Sequence, residues 1–564
     1  MPSKTLHVFA LVWVLASYQQ QWIACSERPP TCDSLIYCHG QLLHTIQMAG
    51  LYEDSKSFVD KSLKYNVSTT LRTFNKLMSD TDQNPSKEQL LDFVNENFLS
   101  QNELEDWIPE DFVEEPEFLS HIVHSKVRNF AKDIISIWKI LGRKVKQDVF
   151  KKQDQHSLIP VPNGFIVPGG RFQEYYYWDS YWIIDGLIVT GMTKTARGMI
   201  DNFLSIVERY GHIPNGGRVY YTRRSQPPLL THMAKIYLDA TNNISWLKKN
   251  IDLLEREVEF WIKNRMVKIT VDNVSHNVAV YHAVSLGPRP ESYYEDYMTA
   301  SYYQTAVEKE RLYIELKSAA ESGWDFSSRW IFDESGENNA NITFLQTSRV
   351  APIDLNSFLY GAFSNLAKFY QHLNNERKQK HWHHLANTLN HTINTLFWNE
   401  IDGIWYDFDT ILHQQRRYFS PANFAPLWVK AYNTHPKSAT HVIEKVIIYL
   451  KMEGIPDFLG GIPATTLSTG EQWDFPNAWP CLQSIVVEGL QNSGVPIGRH
   501  WAREFAERWV RANMYGYNET GHMFEKYDAE FPGHYGAGGE YRVQTGFGWT
   551  NGVVLRFIQK YYTD

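Results

Sequence analysis

Val167-Pro168-Gly169-Gly170-Arg171-Phe172-Gln173-Glu174-Tyr175-Tyr176-Tyr177-Trp178-Asp179-Ser180-Tyr181-Trp182 combines features that seldom share one segment. Two adjacent glycines permit a sharp turn, an arginine follows, and a run of aromatic rings encloses Glu174 and Asp179. A core segment would carry fewer polar groups, and a solvated loop fewer rings. Ring faces beside a planar cation and carboxylates suit a polyol, whose C–H faces stack on aromatics while its hydroxyls require donors and acceptors. For this stretch taken alone, an aromatic-rich packing segment is the alternative.

Working outward, apolar residues recur at helical spacing. Leu355, Leu359, Ala362, Leu366 and Phe369 form one stripe, and Trp382, Leu385, Leu389, Ile393 and Leu396 another. A further helix is expected over 120–142, and strand alternation is confined to short stretches such as 268–271 and 278–281. The chain therefore reads as mainly α. Its connections repeat a ring next to an acid or amide: Trp178-Asp179, Gly323-Trp324-Asp325, Trp405-Tyr406-Asp407, Trp473-Asp474 and Gly548-Trp549. Helices alternating with such loops imply an α/α toroid whose loops converge on one mouth. No Pro-, Gly- or Ser-rich linker divides residues 150–564, so one catalytic domain (25–564) is expected. It comprises a helical flanking region to about residue 150 and the barrel beyond it.

Composition narrows the functional class. The 564 residues are 43% hydrophobic and carry a net charge of −8 without a basic run, which argues against a nucleic-acid surface. Lys4 followed by the apolar run 6–16 reads as a signal peptide over 1–24, too short for a comfortable membrane span. A secreted, extracellular product is expected, with no membrane span in the mature chain and a monomer favoured. Sequons at Asn66, Asn243, Asn273, Asn341 and Asn390 fit export as glycosylation sites; a sixth at Asn518 lies seven residues before Glu525 and would crowd it. Cys32 and Cys38 are close enough to bridge, whereas Cys481 sits in an apolar context as a free thiol.

Several stretches carry chemistry. Residues 211–228 hold Asn215, Arg224 and Gln226 in a loop stiffened by Pro227 and Pro228. Arg289 and Glu291 sit in a second proline-braced turn, where an ordinary salt bridge is the alternative. Asp325 lies between Trp324 and Phe326, where partial desolvation would keep a carboxyl protonated as a general acid. Glu525 lies in similar apolar company in Met523-Phe524-Glu525-Lys526-Tyr527. Two such carboxyls suit glycoside hydrolysis, yet nothing in the residues alone selects this pair from the many other acids. His381, His383 and His384 share a periodic helix without partner ligands and read as a solvated face rather than a metal site. The run 536–540 lacks the ending of a phosphate loop and reads as a glycine-rich lid with Glu540 as a hydroxyl acceptor.

The stretches 168–182 and 472–480 (Gln472-Trp473-Asp474-Phe475-Pro476-Asn477-Ala478-Trp479-Pro480) resemble the two signatures of the trehalase family of glycoside hydrolases. The segments 214–218, 224–228, 289–292 and 536–541 resemble further elements of that family in its order, and the likeness runs from about residue 35 to the C-terminus, to the secreted animal members and those of insects in particular. The resemblance implies an (α/α)6 barrel, no cofactor and no metal, and hydrolysis of α,α-trehalose with inversion. It matches Asp325 to the general acid and Glu525 to the general base. Arg171, Asn215, Arg224, Arg289 and Glu291 match substrate-binding positions, with Trp178, Asp179, Gln226, Gly323, Trp473 and Glu540 as further contacts. Ala537 stands where relatives often carry glycine. Two other functions stay open at this point: an inverting glycosidase for a different α-glucoside, which a substrate panel would separate, and a secreted sugar-binding protein, which would hold trehalose without consuming it.

Overall fold

The structure is a computed structural model that describes residues 28–100, 103–338 and 341–563. The leader assigned to 1–24 lies outside the described residues. From Ser125 onward, the helices of the ring alternate between outer and inner positions, with Tyr293–Ala300 and Ala306–Ser322 inserted between the fifth and sixth: α1 (Ser125–Leu141, outer), α2 (Asp179–Val189, inner), α3 (Thr193–Tyr210, outer), α4 (Leu230–Thr241, inner), α5 (Ile244–Arg265, outer) and α6 (Ile353–His372, inner). The series continues with α7 (Glu376–Thr392, outer), α8 (Ala425–Val429, inner), α9 (Pro436–Met452, outer), α10 (Pro480–Asn492, inner), α11 (Pro496–Thr520, outer) and α12 (Gly548–Tyr561, inner). Each inner helix touches the next, and α12 returns to α2, so the inner ring closes as an (α/α)6 toroid.

Burial follows position in the ring. In α2 every residue from Asp179 to Leu187 is buried, as expected of a helix surrounded by others. The outer α7 buries only Trp382, Ala386, Leu389 and Thr392, a single stripe, and leaves His381, His383 and His384 exposed. Helix α1 lies before the boundary expected near residue 150. Its stripe of Val127, Phe130, Ile134, Trp138 and Leu141 belongs to the main core, and it packs against α12. Periodicity reveals such a stripe but not which surface receives it. The 120–142 helix is itself divided: Glu117–His121 is a 3-10 turn and the α-helix begins at Ser125. The two short strands expected near 270 and 280 form one hairpin, Met266–Val271 with Val274–Ala279.

The N-terminal layer has its own small core around Leu43, Phe58, Phe74 and Phe93, closed against Tyr176, Tyr220 and Tyr221 of the barrel loops. Cys32 and Cys38 form a disulfide there, and Cys481 is a buried free thiol. Among the described residues no helix is long and apolar enough to cross a membrane.

Ring closure rests on a backbone-to-backbone contact between α2 and α12. A Cβ at Gly186 would stand 2.5 Å from the Cα of Gly552, and one at Gly552 would stand 2.0 Å from the carbonyl oxygen of Trp182. Neither neighbour is a side chain that can rotate away. The Arg556 guanidinium reinforces the seam by pairing with Asp185 (Nε–Oδ2 2.7 Å). Gly552→Ala is therefore expected to destabilise the protein by about 1–3 kcal/mol or more through overpacking. Denaturant unfolding followed by circular dichroism measures this, and an unchanged midpoint would show that the seam has room.

Candidate active site

Each loop that enters the N-terminus of an inner helix opens at the same end of the ring. Five of the six contribute to one cavity: residues 171–178 precede α2, 215–226 precede α4, 289–325 (with the helices Tyr293–Ala300 and Ala306–Ser322 inside it) precede α6, 473–479 precede α10 and 525–547 precede α12. Arg171, Trp178, Asp179, Asn215, Arg224, Gln226, Arg289, Glu291, Gly323, Asp325, Trp473, Glu525 and Glu540 all line it. Its atom-free space, open mouth included, is about 730 Å³. One wall is aromatic: Trp473 stacks on Trp479 at 3.8 Å and on Trp324 at 5.1 Å, with Trp549 edge-on to both Trp473 and Trp479.

The Trp405-Tyr406-Asp407 loop is an exception to the expected convergence. Asp407 lies away from the cavity and pairs with Arg329, which also grips Asp354 at the start of α6. Asp474 likewise acts as a brace, accepting from Ser327 Oγ (2.9 Å) and the Ser328 amide (2.8 Å) directly after Asp325. An acid beside a ring marks these loops without distinguishing one that faces a cavity from one that ties two loops together.

Each cavity arginine is held by its own acid. Arg224 donates to Glu291 Oε1 (2.5 Å) and Asn215 Oδ1 (3.0 Å) and lies over the Tyr221 ring. Arg289 is bidentate on Asp296 (2.7 and 3.0 Å) and reaches Glu540 Oε1 at 3.1 Å. Glu540 also accepts from Ser292 Oγ, which draws the glycine-rich loop down over the cavity. Arg171 pairs with Asp54 (2.6 Å) and lies 4.6 Å from the Tyr541 ring centre. Glu291 Oε2 and Arg171 Nε, both buried on lining residues, have no hydrogen-bond partner. Buried polar atoms are ordinarily paired, so these are the atoms a polar ligand would satisfy.

The carboxyls differ in state. Burial pushes Asp325 up to about 7, with Arg289 opposing the rise and Glu540 adding to it. Asp179, the first residue of α2, reaches about 8; burial is the main cause, and the charges of Glu525 and Asp325 add to it. Burial also raises Glu525, but Lys526, the Tyr541 hydroxyl (2.8 Å from Oε1), the Gln544 amide and Arg171 all oppose it. Lys526 in turn donates to Gln472 Oε1 and to the carbonyl of Gly538 in the lid. The cavity therefore presents a carboxyl near neutrality beside one whose charge four neighbours favour.

Sequence reasoning missed Lys56, Phe172, Tyr176, Tyr221, Gln472 and Tyr541, which also line the cavity. Gln472 and Tyr541 adjoin residues already singled out, so adjacency to a motif was an available signal. Lys56 comes from the flanking layer, where no aromatic–acid pattern marks it.

Comparison with known proteins bears on this arrangement. A trehalase family profile matches residues 50–562. The chain is 49% identical to the trehalase of Tenebrio molitor over 538 residues, spanning 95% of this chain and 97% of that one. It is 47% identical to the Bombyx mori trehalase over 539 residues (96% and 93% of the two chains) and 43% identical to the human trehalase over 534 residues (94% and 90%). Among solved structures it is similar to the neutral trehalase Nth1 of Saccharomyces cerevisiae, with a TM-score of 0.57 and 26% identity over 71% of this chain and 73% of that one. A mannosylglycerate hydrolase of Thermus thermophilus shares the fold at a TM-score of 0.50 and 14% identity, over 75% of this chain and 98% of that one.

The elevated Asp179 carboxyl has a consequence for stability. Its native value is about 8, against about 3.9 in an unfolded chain. Between those values the unfolded chain has lost a proton that the native state keeps, so this residue's contribution falls as pH rises through that window. Asp179→Asn removes the effect and is expected to gain on the parent toward pH ~8 while matching it near pH ~4. Unfolding midpoints at both ends measure this; a difference that does not vary with pH would show that Asp179 ionises freely in the native protein.

Proposed function

The chain belongs to the trehalase family of glycoside hydrolases, and on that premise we propose that it hydrolyses α,α-trehalose to two glucose molecules with inversion at the attacked carbon. Asp325 is the general acid and Glu525 the general base. The observation that carries this reading is that two desolvated carboxyls, 200 residues apart in sequence, line one cavity in unequal electrostatic settings.

The proton inventory is simple. Asp325, protonated, gives its proton to the glycosidic oxygen as the C1–O bond breaks. Glu525 takes a proton from a water that attacks C1 from the opposite face. Asp325 finishes as a carboxylate and Glu525 as an acid, and exchange with solvent resets both. The inverting geometry requires roughly 6.5–9.5 Å between the carboxyls to admit the water. The arginine forks, already fixed by their acids, meet the hydroxyls of a neutral sugar without reorganising. The Trp473–Trp479 stack offers a ring face to its C–H surface.

Export is the second part of the reading. It is supported by the Cys32–Cys38 disulfide and by the exposure of Asn66, Asn273 and Asn341. Asn243 and Asn390 are less open: Asn243 Nδ2 donates to the Tyr237 hydroxyl, and Asn390 Oδ1 accepts from Asn394.

Proton NMR of the first moments of trehalose turnover tests the chemistry. Equal α- and β-glucose is expected; α-glucose alone would mean retention and a nucleophilic carboxylate. Asp325→Asn and Glu525→Gln should each lower kcat by roughly 10²–10⁴-fold with far-UV circular dichroism unchanged. Near-normal turnover in either variant would remove that residue from its role.

A further inference from the structure

Both carboxylate oxygens of Glu525 lead back to a single residue. Oε1 accepts from the Tyr541 hydroxyl at 2.8 Å, and the Tyr541 ring lies under the Arg171 guanidinium at 4.6 Å. Oε2 accepts from the Gln544 amide at 3.3 Å, and the Gln544 side-chain oxygen accepts the Arg171 amide at 2.8 Å. Arg171 thus braces both hydrogen-bond donors of Glu525. Its guanidinium is tied in turn by a residue outside the barrel: Asp54 of the N-terminal layer, at 2.6 and 2.7 Å from Nη2.

Asp54 is itself preset. Its Oδ1 accepts the Lys56 amide at 2.9 Å, and the Lys56 ammonium is buried between Asp60 (2.6 Å), Glu174 (2.7 Å) and the Tyr220 hydroxyl (3.2 Å). Next to it, Ser55 Oγ donates to Glu295 at 2.8 Å. The segment 54–56 is therefore pinned to the barrel loops by the two residues that follow Asp54.

We propose that Asp54 is a positioning residue for the reaction. From the N-terminal layer it holds the Arg171 guanidinium over the Tyr541 ring, so that Tyr541, beside a Gln544 seated on the Arg171 backbone amide, keeps Glu525 in its basic, correctly aimed form. This rests on the reading of Glu525 as the base. It makes the layer before the barrel part of the catalytic apparatus rather than a covering. Around Glu525 the other titratable and charged groups are Lys526, Tyr541, Arg171, Asp179 and, across the cavity, Asp325. Without Asp54 the guanidinium is free to swing toward solvent, and its favourable field on Glu525 weakens.

The test compares the full-length parent with Asp54→Ala, Asp54→Asn and Asp54→Glu, measuring kcat and KM for trehalose against pH together with the thermal midpoint. Asp54→Ala is expected to lower kcat/KM roughly ten- to a hundredfold, the scale of a misplaced catalytic group. It should also move the acid limb of kcat/KM, which reports the base in the free enzyme, upward by roughly half a unit. Asp54→Asn, which keeps a neutral acceptor should the alanine variant not fold, is expected to fall between, and Asp54→Glu to recover most of the loss. A lower thermal midpoint with parental kcat/KM and limb would make Asp54 a structural contact only and overturn the proposal. A limb displaced downward would overturn it too, because Asp54 would then act solely as a counter-charge to a guanidinium that stays in place. Glu525→Gln is assayed in parallel. If it keeps turnover, the base assignment has failed and the coupling falls with it; if it is inactive while Asp54→Ala behaves as the parent, only the coupling is overturned.

Discussion

The contact between Gly186 and Gly552 is the constraint on which the rest depends. It lets the first and last inner helices approach at backbone distance, and without that approach the ring has no sixth interface. Closure brings Trp178 and Asp179, at the entrance of α2, beside Glu525 and Trp549, at the entrance of α12. Because outer and inner helices alternate, all the loops that lead inward lie at one end. The cavity is thus a consequence of topology before any side chain is chosen.

Within the cavity the energetic difficulty is charge. Several acids and three arginines occupy a space largely removed from water, where an unpaired charge is costly. The pairing is divided by task. Arg171, Arg224 and Arg289 are each anchored to Asp54, Glu291 and Asp296, so their forks are rigid before a ligand arrives. Among the described residues Asp325 and Asp179 have no direct cationic partner, and burial raises them. Glu525 stands between these cases, lifted by burial and restrained by Lys526, Tyr541, Gln544 and Arg171. The difference in state among these carboxyls therefore arises from which of them was given neighbours, not from residue type.

The opening stretch divides its residues between packing and the cavity wall. Tyr175 and Tyr177 pack inward and place their hydroxyls on the Ile159 carbonyl and on Glu257. Tyr176 and Trp178 line the cavity. The segment is a packing element on one side and a cavity wall on the other. Glu174, which looked like a ligand contact, is instead fully buried against Lys56 and Tyr176, holding the N-terminal layer to the barrel.

What the amino-acid sequence determined by itself is everything written in contiguous residues. The helical period along α6 and α7 comes from neighbours three and four apart, and the rings flanking Asp325 and Glu525 and the prolines bracing Arg224 and Arg289 are neighbours in the chain. These made the mainly helical ring and the cavity residues legible. Only the tertiary structure decided which partner each of these residues would meet. Asp54 reaches Arg171, Asp407 reaches Arg329, and α1 joins the barrel, through contacts between segments far apart in the chain. Such pairings leave no local pattern, because an acid destined for a distant arginine looks the same in sequence as one destined for water. The physical difference between them, burial, does not exist until the ring has closed.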